Sequence, residues 1–131
     1  MSSMLKKTKG QIEAEISDAL TRFEKEFMGR GPLETKTYII DTMIIVRLSG
    51  VLTKAEHKLA ATDGGNRGRD LIKQVRIELL EHGRSMLETS LKAITKRKVI
   101  SLHTDVSTVT GERLIVFTLD KAPEFKADMP V

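Results

Sequence analysis

Apolar residues along this chain follow two periods, and each period predicts a different kind of element. Ile12, Ile16, Leu20, Phe23 and Phe27 recur at spacings of four, four, three and four, one stripe of an amphipathic helix. Glu13, Glu15, Asp18, Arg22, Glu24, Lys25 and Glu26 fill the remaining faces, with Asp18 four residues before Arg22, a favourable pairing distance. Gly29 accepts the left-handed conformation of a C-terminal stop and Pro32 forbids resumption, which predicts a helix from about Lys9 to Met28.

Thr35 to Ile40 and Met43 to Leu48 are rich in β-branched residues and read as strands, joined at Asp41-Thr42 without the glycine of the best two-residue hairpins. Neither alternates cleanly. Tyr38-Ile39-Ile40 and Met43-Ile44-Ile45-Val46 place apolar groups on both faces, a pattern that predicts burial on both sides. Thr53-Lys54-Ala55-Glu56 has the form of a capping box and opens a short helix through His57, Leu59 and Ala61. Asp63-Gly64-Gly65-Asn66 should interrupt it. A longer helix follows from about Gly68 to Thr95, carried by Leu71, Ile72, Val75, Leu79, Met86, Leu87, Leu91 and Ile94, with Gly83 marking close packing or a bend. Val99 to Val106 and Arg113 to Leu119 form a second hairpin across Ser107–Glu112, and the tail from Lys121, with Pro123 and Pro130, is expected to fray.

The order α-β-β-α-α-β-β predicts one α+β domain over 1–131, with an ordered core of about 9–120 between a flexible N-terminus and tail. Its sheet is four-stranded and mainly antiparallel, with helices on one face. The first hairpin is apolar on both sides, so the second face needs cover, and a C2 homodimer is the simplest solution.

Composition narrows the classes. A chain of 131 residues suffices for one core without staples. The absence of Cys excludes disulfides, thiolate zinc sites and cysteine nucleophiles. Lysines at the N-terminus are followed by no apolar run, and the strand runs are too short to span a bilayer, so a cytoplasmic location is expected, compatible with a peripheral position at a membrane. The net charge of +4 comes from 22 basic and 18 acidic residues interspersed along the chain. With one Tyr, four Phe and no Trp, the stacking platforms of single-strand nucleic-acid readers are missing.

Candidate chemistry is sparse. Arg30, between Gly29 and Gly31, could hold an anion beside exposed amides, although the position ends a helix rather than opening one. Arg47 interrupts an apolar strand and calls for an anionic partner such as Glu34, Asp105 or Glu112, within the subunit or across an interface. His103 and Asp105, two apart on a strand, share a face and could form a structural pair, a general base or a ligand set. His57 and His82 read as surface residues. Lys92, Lys96, Arg97 and Lys98 complement a helix C-terminus or face an acidic partner or anionic membrane. No nucleotide-binding, nucleophile-elbow or paired-ligand metal motif is present, so no catalytic residue, cofactor or metal is expected.

Gly29-Arg30-Gly31-Pro32, Arg47, Gly50-Val51-Leu52-Thr53 with Ala55-Glu56, and His103-Thr104-Asp105 together resemble the MpsC-like family, over about Lys9 to Asp120. The family is named for a Na+-translocating membrane-potential-generating system. The resemblance implies a non-catalytic accessory or regulatory protein associated with membrane cation-translocating subunits. The stretch Gly64 to Gly68 departs from the pattern in being richer in glycine. Two other readings come from the residues themselves: a nucleic-acid or small-anion binding module using Arg30, Arg47 and the Lys92–Lys98 cluster, and an enzyme using His103 and Asp105.

Overall fold

Helix α1 spans Lys9–Met28, the span its apolar stripe predicts. Its start is set by Thr8, whose hydroxyl accepts from the Gln11 amide while the Gln11 side chain accepts from the Thr8 amide. Gly29 closes it at φ 81°. The computed structural model describes residues 6–61 and 66–126.

Strands β1 (Glu34–Ile40) and β2 (Met43–Ser49) pair in an antiparallel hairpin. Its two-residue turn needs a positive φ, and Asp41 supplies it at 52°, a conformation that short polar side chains tolerate. Helix α2 (Lys54–Ala60) begins at Thr53 with the capping box predicted for it: Thr53 Oγ1 accepts from Glu56 N–H, and Glu56 accepts from Thr53 N–H. Helix α3 runs Asn66–Thr95, starting two residues earlier than expected. The expected interruption at Gly64 and Gly65 lies outside the described residues. Strands β3 (Val99–Val106) and β4 (Arg113–Leu119) complete an open, fully antiparallel α+β sheet in the order β1-β2-β4-β3.

Register assigns the two faces. Ile39, Ile44 and Phe117 form one inward row, and Thr37, Val46 and Ile115 the next. The aliphatic and Phe117 side chains among them join Ile12, Ile16, Leu20 and Phe23 of α1 and Ile72, Leu80, Leu87 and Leu91 of α3 in the core. The outward rows are Lys36–Arg47–Leu114–Asp105, Tyr38–Ile45–Val116–His103 and Ile40–Met43–Thr118–Ser101. The two-sided apolar pattern of β1 and β2 therefore has one face in the core and the other open.

Helix α3 rotates relative to its expected apolar face. Leu71, Val75 and Met86 are exposed, while Arg76, Leu80 and Gly83 join Ile72, Leu87 and Leu91 on the buried side. The cause lies partly in Gly83: a Cβ there would stand 2.5 Å from Phe23 Cε1, so the bare backbone lets α3 settle onto the Phe23–Phe27 stack of α1. The Gly83 expectation of close packing is met. Residues 121–126 carry no regular structure, yet Phe125 packs on the core and Lys126 N–H donates to Lys7 O.

Candidate functional site

The least expected feature is a buried charge cluster where α1, α2, α3 and β4 meet. Glu24, expected on the polar face of α1, is fully buried; Arg113 is 2% exposed and Arg76 5%. Arg76 grips Glu56 with Nε and Nη2 at 3.2 and 3.1 Å, and Nη2 also donates to Val51 O at 2.8 Å. Arg113 Nε donates to Thr104 Oγ1. Glu24 stands between the guanidiniums, 3.8 Å from Arg76 Nη1 and 3.9 Å from Arg113 Nη1, close enough for Coulombic attraction and beyond hydrogen-bond reach. Both Glu24 oxygens and both Nη1 atoms lack hydrogen-bond partners.

Two carboxylates and two guanidiniums balance in sign, as a charge cluster away from water requires. Desolvation pushes the Glu24 carboxyl above the usual carboxylate range, against the pull of Arg113 and Arg76. Desolvation likewise lowers Arg113 from the usual guanidinium value. Burial also pushes at Glu56, but hydrogen bonds from Arg76 and Thr53 outweigh it and hold that carboxyl below its ordinary range.

The residues singled out from sequence are placed apart. Arg30 Nη1 donates to Leu52 O at 2.9 Å, so it anchors the loop after β2. Arg47 is exposed, and of its three candidate partners Glu112 is the one it bonds, Nε to Oε2 at 2.7 Å. That contact raises the Arg47 pKa. Asp105 and His103 occupy neighbouring outward rows of edge strand β3. The Asp105 oxygens meet Lys73 Nζ at 3.1 and 3.4 Å and the Val106 amide at 2.8 Å. Burial acts against these contacts, which nevertheless hold its carboxyl below the ordinary value.

Arg47 and Asp105 thus flank Leu114 in one row, His103 lies in the next, and Arg30 lies elsewhere. Around them the outer face is largely apolar: Tyr38 is 43% exposed, Ile40 50%, Met43 38% and Leu114 39%. The first turns of α3 reach it only at the Asp105–Leu114 corner, where Asn66, Arg69, Asp70 and Lys73 line a cleft with Asp105, Glu112 and Leu114. His57 and His82 are on the surface, as expected. In the basic segment after α3, Lys96 Nζ and Arg97 Nε donate to Ala93 O and Ala122 O, beside a cleft of about 630 Å³ lined by Lys6, Lys7, Ile12 and Ile94. Among the described residues no three His, Asp or Glu side chains cluster as metal ligands would, and no helix is long and apolar enough to cross a membrane.

An open antiparallel sheet backed by two long helices, with an internal ion cluster at one corner, defines the class of α+β protein to which the chain belongs. Residues 8–121 match the family described as Na+-translocating membrane potential-generating system (MpsC), and the chain is a member of it. The chain is also 48% identical over 115 residues to a Bacillus subtilis (strain 168) protein named "Uncharacterized protein YbcI", covering 88% of this chain and 90% of the relative. No solved structure matches.

Proposed function

We propose that this protein is a non-catalytic accessory or regulatory component of a Na+-translocating, membrane-potential-generating system, acting from the cytoplasmic side through protein contacts. The observation that carries the reading is membership of the MpsC family over residues 8–121. The geometry supports a binding role. Arg30, Arg47 and Asp105 are engaged by Leu52, Glu112 and Lys73, whereas the apolar outer sheet face is open. Co-purification with the membrane-embedded translocating subunits tests it. The expected result is recovery of both together and a fall in membrane potential when the chain is deleted. Failure to co-purify, together with an unchanged membrane potential on deletion, would refute it.

The protein works as a C2 homodimer in this reading, a second copy covering the outer sheet face. Light scattering coupled to size exclusion should return the mass of two chains at micromolar concentration. A one-chain mass throughout would refute the dimer while leaving the accessory role standing.

A further inference from the structure

The outer face specifies how a second copy would sit on it. For two sheets packed face to face, the two-fold axis lies in the plane between them. Two limiting orientations follow. An axis across the strands lays each strand over its own copy. Lys36 then falls on the partner's Ile40, Arg47 on the partner's Met43, and His103 on the partner's His103. That arrangement supplies neither outer-face cation with an anion and stacks like on like.

An axis along the strands keeps each row and exchanges the edges, β1 over β3 and β2 over β4. Lys36 then faces the partner's Asp105, Tyr38 the partner's His103, and Ile45 the partner's Val116. Ile40 falls on the partner's Ser101, beside the bulge residue Ile100, which is 60% exposed, and Met43 falls on the partner's Thr118. The outer-face cation Lys36 gains an opposite charge, and the central row places Ile45 against Val116. The Asp105 side chain is 73% exposed despite its bond to Lys73, which leaves room for a second cation. Arg47 keeps Glu112 and lays its stem toward the partner's Leu114.

We infer that the chain pairs with a second copy of itself through the outer sheet face, with the two-fold axis along the strands and Lys36 against the partner's Asp105. This rests on the homodimer reading above and adds its geometry. Four strands about 4.8 Å apart, each with about seven residues rising about 3.4 Å, make a face on the order of 450 Å² per chain. That flat footprint is smaller than the accessible area its side chains would bury, and against the ~800 Å² per partner of specific complexes it marks a small interface.

Sedimentation equilibrium from micromolar to submillimolar concentration tests the inference on the full chain. Lys36→Glu and Asp105→Lys should each weaken self-association on the order of tenfold, because each places two like-charged pairs in the interface. Mixing the two variants should restore it, since both contacts in the mixed dimer are then of opposite charge. Restoration on mixing also separates the intermolecular contact from loss of the Lys73–Asp105 pair within one chain. Ile45→Glu, checked for folding by circular dichroism, should leave monomer. A dimer indifferent to the two charge variants, or variants that do not recover on mixing, would overturn the geometry while the homodimer reading survives. A wild-type chain monomeric across the whole range would overturn both.

Discussion

Replacing Arg76 by Met removes the side chain on which the buried cluster turns, while keeping much of its bulk. Three hydrogen bonds go with it, two to Glu56 and one to Val51 O, along with the cation 3.8 Å from Glu24. Glu24 is left fully buried with Arg113 alone, 3.9 Å away and without a hydrogen bond between them. Breaking one partner out of a buried ion pair costs about 3–5 kcal/mol, most of it the uncompensated charge left behind. Domains of this kind have about 5–15 kcal/mol in all, so the loss approaches the margin. An unfolding entropy of about 2.1 cal/mol/K per residue gives about 0.28 kcal/mol/K for 131 residues, and Tm should therefore fall by about 11–18 °C. Calorimetry and urea titration measure it. A Glu24→Gln, Arg76→Met double mutant should lose less than the sum of the singles by more than about 1 kcal/mol, as coupled neighbours do. A drop in Tm under about 2 °C for Arg76→Met corresponds to about 0.5 kcal/mol, the range of surface substitutions, and would refute the reasoning.

The pH dependence should carry a signature of Glu24. Its folded pKa is raised by burial, so between the ordinary carboxylate value and the raised one the folded state binds more protons than the unfolded chain, and stability falls as pH rises through that window. Glu56, held below its ordinary value, acts in the opposite sense: its contribution is present above the unfolded pKa and is lost as pH falls through the folded one. Stability measured across mildly acid to neutral pH should decline less steeply for Glu24→Gln than for wild type; parallel curves would contradict the assignment. Gly68→Ala should destabilise by about 1–2 kcal/mol, because the added Cβ would stand 2.1 Å from the Leu59 carbonyl oxygen and force α2 and α3 apart. Gly10→Ala, with nothing within 4 Å, should be neutral or stabilise α1 by up to about 1 kcal/mol, and thermal melts of the two variants together separate crowding from helix propensity.

Element boundaries were legible because local chemistry punctuates them: Gly29, the Thr53–Glu56 box and the β-branched runs mark ends without reference to the tertiary fold. The ion cluster was hidden by the usual rule that charges fill polar faces. Phase would have exposed it. Glu24 continues Ile12, Ile16 and Leu20 at steps of four, Arg76 lies midway between Ile72 and Leu80, and Arg113 alternates with Ile115, Phe117 and Leu119. Arg47 stood out because its neighbours are apolar, but it shares its phase with Met43 and Ile45 on the open face. Position within the period, rather than hydrophobicity of the surroundings, separates the buried arginines from the exposed one. The partners of Arg30 and Asp105 had no such signal, since Leu52 and Lys73 reach them only through the packing of distant segments.

Helix α2 has seven residues and buries none of them. A helix that short is not stable in water by itself. Beside the packing of Ala60 on the core and of Leu59 against Gly68, one carboxylate holds it twice: Glu56 closes the turn at Thr53 with one oxygen and is clamped by Arg76 through both. The segment therefore behaves as a latch over the ion cluster. Lifting α2 strips Arg76 of its closest counter-ion, and any opening of the cluster releases α2. Amide hydrogen exchange within Lys54–Ala60 is thereby an external gauge of an interior event, readable without touching the core.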